Sequence, residues 1–332
     1  MTADAGSRRG IRHLCALTNG EKSSIIDWSV NEGSKTMKQI LPALAVIGAG
    51  ILWGMLSLFV RTLSAAGLDA VQITCIRMAV AAPALMLFTA IRSWDKLPIR
   101  LRDIWMFVGT GIVSIVLFNV CYFYTLIRSE ASVAVILLYT SPVFILLLSA
   151  VLFREKITPL KLIALVMTVL GCVLVAGLTG AAPITAFVLL TGLASGLFYG
   201  LYTIFGRFAL RKYDALTVTA WTFLLGLIGS APVSRPGEIV RILAAQPSLL
   251  IWCIVVGLLC TVMPFLLYTW GLARMESGKA AILAAVEPMV GAVIGMTILH
   301  ESRSMPKIAG ILLILTAIVL LNLPQRKTPG SA

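Results

Sequence analysis

The chain has 332 residues, of which 59% are hydrophobic and only 12% are charged, and its mean hydropathy is +0.98. Soluble domains carry about 25% charged and 45–50% apolar residues, so this composition excludes a water-facing globule and predicts a polytopic membrane protein. The net charge of +13 is better explained by basic loops on the cytoplasmic side of a membrane than by nucleic-acid binding.

Residues 1–36 are polar and mixed in charge, and they lack the apolar core of a secretory signal. We predict that they form a disordered cytoplasmic tail. The segment MKQILPALAVIGAG, which begins at Met37, has the form of a natural protein start. The preceding tail is therefore either part of the natural protein or an artefact of start-codon choice, and a targeting role is less favoured.

Ten apolar segments follow, and we predict that each is a membrane-spanning helix. Most are close to the ~20 residues that cross ~30 Å of hydrocarbon as a helix, and lipid offers no partner for unpaired backbone groups. The last segment is short. The segments are Ile40–Val60, Leu68–Ile91, Ile104–Ile127, Ala131–Phe153, Leu160–Leu178, Ile184–Phe205, Ala215–Val233, Leu249–Leu272, Ala280–Leu299 and Ile308–Leu323.

The distribution of Lys and Arg predicts the orientation of the chain. With the amino terminus in the cytoplasm, the inside loops and the carboxyl-terminal tail hold fourteen basic residues and the outside loops hold six. Cytoplasmic loops carry the excess of Lys and Arg, so both termini are predicted to be cytoplasmic, including the tail at 325–332.

The chain partly matches itself when it is shifted by 146 residues. The matched residues include glycines, prolines and charged residues, which agree by chance less often than aliphatic ones. Examples are Gly50 with Gly196, Gly54 with Gly200, Tyr122 with Tyr268, Pro142 with Pro288, Glu155 with Glu301 and Lys161 with Lys307. We therefore predict two repeats, at 37–178 and 179–324.

Each repeat holds five spans, an odd number, so the second repeat is expected to enter the membrane from the opposite side. The predicted fold is an all-α integral membrane protein with ten transmembrane helices in two inverted five-helix repeats. Secondary transporters often have this architecture, since exchanging the conformations of the two halves opens a central site to alternate sides. A duplication kept only for packing is the alternative.

Two stretches resemble a known family. ASVAVILLYTSPVFILLLSAVLFREKITPLKLIALVMTVLGCVLVAG has a mid-helix proline, Pro142, a helix-ending Glu155, a short basic loop and a glycine-containing helix. AILAAVEPMVGAVIGMTILHESRSMPKIAGILLILTAIVLL repeats this pattern with Pro288 and Glu301, although Met305–Lys307 is not a clean copy of ITPLK. The chain resembles the ten-helix EamA-type branch of the drug/metabolite transporter superfamily from about residue 38 to 324. The resemblance implies transport of small metabolites, commonly amino acids and related compounds, and often their export.

Two ionisable residues lie deep inside predicted spans. Glu287 lies in AAVEPMVGAV and Arg77 in ITCIRMAVAAP, each ~10–14 Å from its own membrane face. A charge near the centre of a membrane helix costs about 2.5–3.5 kcal/mol on insertion scales, so such residues normally face a cavity or a partner. Arg77 has two open interpretations, namely a functional cation and a side chain that extends to the outer interface.

Three roles are open for Glu287. It binds a cationic or amine group of the substrate, it carries a proton during the transport cycle, or it accepts hydrogen bonds from backbone groups freed by Pro288. A direct salt bridge to Arg77 requires their helices to be neighbours. Pro142 and Pro288 are predicted hinges or kinks, and Ser141, the repeat counterpart of Glu287, is expected to lie with Tyr139 beside the same cavity.

Aromatic and amide side chains are predicted to complete the lining of this cavity. Apolar pockets with a few polar groups are the usual form of small-molecule sites. The full set of candidate substrate-binding residues is Glu287, Arg77, Trp53, Asn119, Tyr122, Tyr139, Ser141, Tyr199 and Tyr268. The glycines near Gly48 and Gly192 are predicted to serve close helix packing.

The sequence shows no catalytic constellation and no phosphate-binding loop, which makes ATP-driven transport by this chain unfavoured and indicates that it is not an enzyme. Its six cysteines form no C-x-x-C pair, and no metal or cofactor is predicted. A multidrug or lipophilic-cation exporter and a membrane-embedded lipid-modifying enzyme are alternatives. The predicted partners are a small-molecule substrate and the lipid of an inner or plasma membrane. Whether protons are also transported is left open by the sequence. A monomer and a homodimer are both open.

Overall fold

The computed structural model describes residues 40–129, 131–176, 185–298 and 304–322. The predicted tails at 1–36 and 325–332 and the residue Glu301 lie outside these ranges. Within them the regular structure is helical, with no strand. We number the ten long apolar helices α1 to α10 in chain order.

The first repeat contains α1 to α5 and the second contains α6 to α10. Nine of the described helices are long and apolar enough to cross a membrane, and α10 is shorter. The helices are α1 Ile40–Ala65, α2 Ala70–Lys96, α3 Leu101–Thr125, α4 Ala131–Leu138 with Ser141–Phe153, α5 Pro159–Ala176, α6 Ala186–Ala209, α7 Ala215–Val233, α8 Leu249–Leu272, α9 Ser277–Ala284 with Val286–Thr297, and α10 Met305–Leu321.

Local sequence signals fix where several helices begin. Asp69 caps α2 by accepting a 2.8 Å hydrogen bond from the backbone N–H of Gln72, whose side chain accepts one from the N–H of Asp69. Asp214 caps α7 in the same way through the N–H of Thr217, at 2.8 Å. Such caps satisfy backbone donors that the first turn of a helix leaves without partners. Between α7 and α8, a short loop helix runs from Pro236 to Ala245.

Two helices are interrupted at equivalent places in the two repeats. α4 is broken at Tyr139 and Thr140, and α9 is broken at Ala285, the residue 146 positions after Tyr139. Each break comes just before the mid-span proline, because proline lacks the N–H that would continue the helix. α3 and α8 also correspond, since they carry wider π-helical segments at Gly109–Leu117 and Leu258–Val262. α1 is interrupted at Met55, whereas its counterpart α6 is continuous.

The glycines of one repeat pack against the broken helix of the other repeat. A Cβ added at Gly54 of α1 would lie 2.7 Å from the carbonyl oxygen of Glu287 in α9. A Cβ added at Gly200 of α6 would lie 3.3 Å from the carbonyl oxygen of Ser141 in α4. These contacts are related by the 146-residue shift, and they confirm the predicted role in close helix packing for Gly54 and Gly200.

Candidate functional site

A cavity of about 480 Å³ lies between the two repeats. Its walls come chiefly from α1, α2, α3, α4, α6, α8 and α9, so neither repeat forms it alone. The structure brings all the candidate residues of the sequence to this one cavity, and both predicted kink prolines also line it. These residues are Trp53, Arg77, Asn119, Tyr122, Tyr139, Ser141, Pro142, Tyr199, Tyr268, Glu287 and Pro288.

Glu287 follows the break in α9 and lies in the first turn of Val286–Thr297. Its carboxylate accepts a 3.1 Å hydrogen bond from the hydroxyl of Tyr199 in α6. The start of a helix favours negative charge because its N–H groups point outward. Within the described chain, Tyr199 is the hydrogen-bond donor to this carboxylate, and no backbone N–H serves it. The proposed backbone-accepting role of Glu287 therefore has no counterpart in the geometry.

Arg77 lines the cavity from α2, and its Nε donates a 2.8 Å hydrogen bond to the hydroxyl of Thr261 in α8. The ion pairs formed by the described residues do not include one between Arg77 and Glu287. Two side chains that can carry opposite charges thus border the same cavity without forming a direct ion pair. A ligand between them can interact with both.

Aromatic rings form much of the remaining wall. The Trp53 ring packs against Tyr268 with a centroid separation of 5.5 Å and edge-on against Phe265 at 5.1 Å. Phe118 packs against Tyr199 at 5.3 Å and against Tyr122 at 5.9 Å. These separations lie in the range of attractive edge-to-face and tilted aromatic pairs. The packing fixes the rings that surround the two charges.

Several polar groups of the candidate residues are already bonded within the protein. The side-chain oxygen of Asn119 accepts from Thr74 at 3.0 Å, and its nitrogen donates to the carbonyl of Ile115 at 2.7 Å. The hydroxyl of Tyr268 shares a 2.7 Å hydrogen bond with Thr203. Asn119 and Tyr268 consequently have fewer free polar positions for a ligand than their residue types imply.

Several lining residues were not among the candidates predicted from the sequence, including Thr74, Tyr202 and Phe265. Helical spacing contains a signal for two of them. Thr74 is three residues before Arg77 and Tyr202 is three residues after Tyr199, so each shares a helix face with a candidate. Thr261 bonds Arg77 from another helix, and the sequence offers no comparable signal for it.

The residues that line the cavity reach one end of the helix bundle, which we call the open end, and stop short of the other, which we call the closed end. Its lining includes Val60, near the end of α1, and Ala70, the first residue of α2. At the opposite end the lining stops at Ala281, inside α9, and at Tyr268, before the end of α8. By the predicted topology the open end faces outward.

The closed end is held by contacts between the two repeats, which we call the latch. The carboxylate of Glu155, just after α4, accepts hydrogen bonds from the backbone N–H groups of Ser277 and Gly278 at the start of α9, at 2.9 and 3.3 Å. The buried Lys161 of α5 forms an ion pair with Glu276. The latch therefore ties the first repeat to the helix that carries Glu287.

Arg207 adds a further contact at the closed end. Its guanidinium donates to the carbonyl oxygens of Leu272 and Met275 at the end of α8, both at 2.6 Å. Lys and Arg side chains commonly satisfy the final carbonyls of a helix in this way. The sequence identified Glu155 only as the residue that ends α4, and the structure shows its partners at the start of α9.

The described part of the chain shows no cluster of metal-binding side chains. Among the described residues, no group of three or more His, Cys, Asp or Glu side chains is arranged to hold an ion. The five cysteines of this part of the chain are free thiols, and four of them are buried.

In the described chain, ten apolar helices in two five-helix units surround a shared, mainly apolar cavity with a few polar groups, an arrangement typical of a polytopic membrane transporter. The chain matches the EamA-like transporter family model at residues 40–177 and again at 186–323, one match for each repeat. The protein belongs to the EamA-like transporter family. The prediction of this family and of an all-α membrane fold is confirmed.

Two relatives match over nearly their whole lengths. An "uncharacterized transporter" of Archaeoglobus fulgidus is 26% identical over 280 residues, covering 83% of this chain and 94% of that protein. The "uncharacterized inner membrane transporter YicL" of Salmonella typhimurium is 25% identical over 296 residues, covering 87% and 97%. One solved crystal structure shares the fold, with a TM-score of 0.71 at 19% identity, covering 85% of this chain and 96% of its own.

Proposed function

We propose that the protein is a secondary transporter of small metabolites such as amino acids or related compounds, and that it exports them by alternating access. One observation carries this proposal. Arg77 and Glu287 border the same cavity, each is held by its own partner, and the two do not form an ion pair with each other. A small molecule with a carboxylate and an amine would compensate both charges in surroundings where an uncompensated charge is costly.

The proposed substrate-binding groups are the nine candidate residues, with Arg77 for the anionic group and Glu287 for the amine. The aromatic rings would enclose the apolar part of the substrate. The cavity volume of about 480 Å³ lies in the range of sites for small molecules, about 300–1,000 Å³.

The two five-helix units are proposed to be inverted relative to each other. Two observations support this arrangement. α4 and α9 are broken at equivalent positions, and a glycine of each repeat packs against the broken helix of the other repeat. In the present structure the cavity extends to one end while the latch closes the other, as expected for one state of an alternating-access cycle. Breaking the latch and closing the open end would give the opposite state.

We further propose that the protein lies in an inner or plasma membrane with both termini cytoplasmic. The excess of basic residues in one set of loops supports this orientation. Glu287 is the candidate for a proton carrier, so the driving force would be a proton gradient or the gradient of the substrate itself.

Transport by the purified protein in proteoliposomes tests the proposal. Uptake and efflux of a panel of amino acids would be measured with and without an imposed pH gradient, and protein-free liposomes serve as the control. We expect saturable movement of at least one zwitterionic compound. If no panel member moves faster than in the control liposomes, the proposal is wrong; hydrolysis of a lipid substrate would instead favour a membrane-embedded enzyme.

The aromatic cavity also suits a lipophilic cation, because Glu287 and the rings of Trp53, Tyr199 and Tyr268 would all attract a positive charge. Arg77 speaks against this second candidate function, since it would repel the same ligand. A lipophilic cation that is transported, rather than merely inhibiting amino-acid transport, would favour the multidrug alternative.

A further inference from the structure

The hydroxyl of Thr261 makes two hydrogen bonds, one as donor and one as acceptor. It donates to the carbonyl oxygen of Val256, five residues earlier in α8, at 2.9 Å. It accepts from the Nε of Arg77 at 2.8 Å. The side chain is fully buried. A hydroxyl has one proton and two lone pairs, so this arrangement fixes both the rotamer of Thr261 and the position of its acceptor.

Thr261 lies in the π-helical segment Leu258–Val262 of α8. A wider turn changes the register between backbone N–H and carbonyl groups, and such segments occur frequently at functional sites. The turn before it packs closely on α2, where a Cβ added at Gly257 would lie 2.5 Å from Val80. Close packing at Gly257 brings the following turn, with Thr261, within reach of α2.

The hydrogen bond directs Arg77 toward the middle of the membrane. Thr261 is the twelfth residue after the start of α8 at Leu249, whereas Arg77 is the seventh after the start of α2 at Ala70. The two helices begin on the same side in the predicted topology, and Gly257 of α8 packs beside Val80 of α2. Thr261 comes four residues after Gly257 and Arg77 three residues before Val80, so Thr261 lies deeper than Arg77 from that side. An Arg side chain that extended to the outer interface would point the opposite way.

We propose that Thr261 is a positioning residue that holds the guanidinium of Arg77 in the cavity, where it recognises the anionic group of the substrate. This inference rests on the proposed function. Thr261 bonds the Nε of Arg77 and not the two terminal nitrogens of the guanidinium. This matters because a carboxylate commonly binds a guanidinium through two parallel hydrogen bonds. Thr261 itself does not need to touch the substrate.

Two substitutions separate the hydroxyl from the shape of the side chain. Thr261→Val removes the hydroxyl and keeps a β-branched side chain of similar size, whereas Thr261→Ser keeps the hydroxyl. The matched control is Thr219→Val on α7, because Thr219 is also fully buried and, among the described residues, its hydroxyl bonds the carbonyl of Ala215 in its own helix.

The first measurement is transport in proteoliposomes of a zwitterionic amino acid and of the corresponding amine without the carboxylate. For Thr261→Val we expect the KM of the zwitterion to rise about tenfold, the size of effect that loss of a hydrogen bond to a charged group can produce. The KM of the amine and the turnover at saturation should stay unchanged. Thr261→Ser and Thr219→Val should behave as the unmodified protein.

The second measurement needs no substrate. Phenylglyoxal modifies guanidinium groups, and mass spectrometry measures its rate of reaction at Arg77. Once the bond to Thr261 is removed, the guanidinium can swing into the wider open end, so the Arg77 rate should rise several-fold in Thr261→Val alone. An unchanged rate would overturn the positioning role whether or not a substrate is known. An equal rise in KM for the zwitterion and the amine would also overturn it.

The two proposals fail in different ways. If the unmodified protein transports no panel member, the proposed function fails, and the modification rate still decides whether Thr261 positions Arg77. If the zwitterion is transported with the same KM by Thr261→Val, only the role of Thr261 is wrong.

Discussion

The hydroxyl of Tyr199 in α6 lies 3.1 Å from a carboxylate oxygen of Glu287 in α9 and donates a hydrogen bond to it. This contact joins two helices of the second repeat, the continuous helix α6 and the broken helix α9. It also fixes this half-buried acid at the edge of a cavity of about 480 Å³.

Replacing Tyr199 with Phe should weaken substrate binding, because it removes the donor and keeps the ring that packs on Phe118 at 5.3 Å. Hydrogen bonds to charged groups contribute about 1.5–3 kcal/mol, so we expect the KM for a zwitterionic substrate to rise roughly tenfold or more. Initial transport rates in proteoliposomes measure this. Tyr124→Phe is the control, since Tyr124 is exposed and does not line the cavity; equal KM values for both variants would contradict the prediction.

Replacing Glu287 with Gln should abolish the response of transport to an imposed pH gradient. Gln has nearly the same shape and still accepts a hydrogen bond from Tyr199, but it does not exchange a proton. We expect substrate exchange without a gradient to continue at a reduced rate. The measurement is uptake in proteoliposomes at several values of internal and external pH.

The matched control for Glu287→Gln is Glu238→Gln in the short loop helix, where the acid pairs with Arg235 at 3.2 Å outside the cavity. This variant should retain the full pH dependence. An unchanged activity and pH profile in Glu287→Gln would remove the coupling role of Glu287 and leave the gradient of the substrate itself as the driving force.

Replacing Gly54 with Ala should destabilise the protein by about 1–3 kcal/mol, the usual cost of overpacking. The added Cβ would lie 2.7 Å from both the carbonyl oxygen of Glu287 and the Cβ of Val290, and neither atom moves without shifting α9. Thermal unfolding in detergent measures the loss as a lower Tm.

Substitutions of two other glycines serve as comparisons for this loss of stability. Gly200→Ala should lower the Tm less, because the nearest atom to its added Cβ is a side-chain carbon of Ile145, at 3.1 Å. Gly237→Ala should leave the Tm unchanged, since nothing lies within 4 Å of the new Cβ. If Gly54→Ala unfolds at the temperature of Gly237→Ala, the close contact of α1 with α9 is not required.

Replacing Glu155 with Ala should favour the state in which the latched end is open. The substitution leaves the N–H groups of Ser277 and Gly278 without their carboxylate, and loss of a helix cap typically costs about 1 kcal/mol. We expect a cysteine placed at Ala281, in a variant whose six native cysteines are replaced, to react several-fold faster with a membrane-impermeant maleimide applied at the latched end.

Lys156→Ala is the control for the latch, because Lys156 lies beside Glu155 in the same loop and its side chain is exposed. The reaction rate at position 281 should not change in this variant. The same rate in Glu155→Ala and Lys156→Ala would show that the latch does not control access to the cavity.

The interrupted helices show how far local rules extend. Pro142 and Pro288 predicted breaks in α4 and α9, since proline interrupts the backbone ladder wherever it lies inside a helix. No proline marks the break at Met55 in α1, and the corresponding helix α6 is continuous. The π-helical segments of α3 and α8 were also not predicted, because a change of helical register depends on the neighbours of the helix as well as on its own sequence.

The sequence by itself determined the membrane class, the ten helices, the repeat and the residues to consider for the site. Hydropathy decides the first two, and the energetic cost of charge in lipid singles out Arg77 and Glu287 among all ionisable residues. Only the tertiary structure decided that these two do not pair, that Tyr199 and Thr261 hold them, and that Glu155 and Lys161 close one end of the cavity. These contacts join residues between 88 and 184 positions apart in the sequence. They depend on which helices are neighbours and on how each helix is rotated about its axis. The hydrophobic period of a single helix specifies neither.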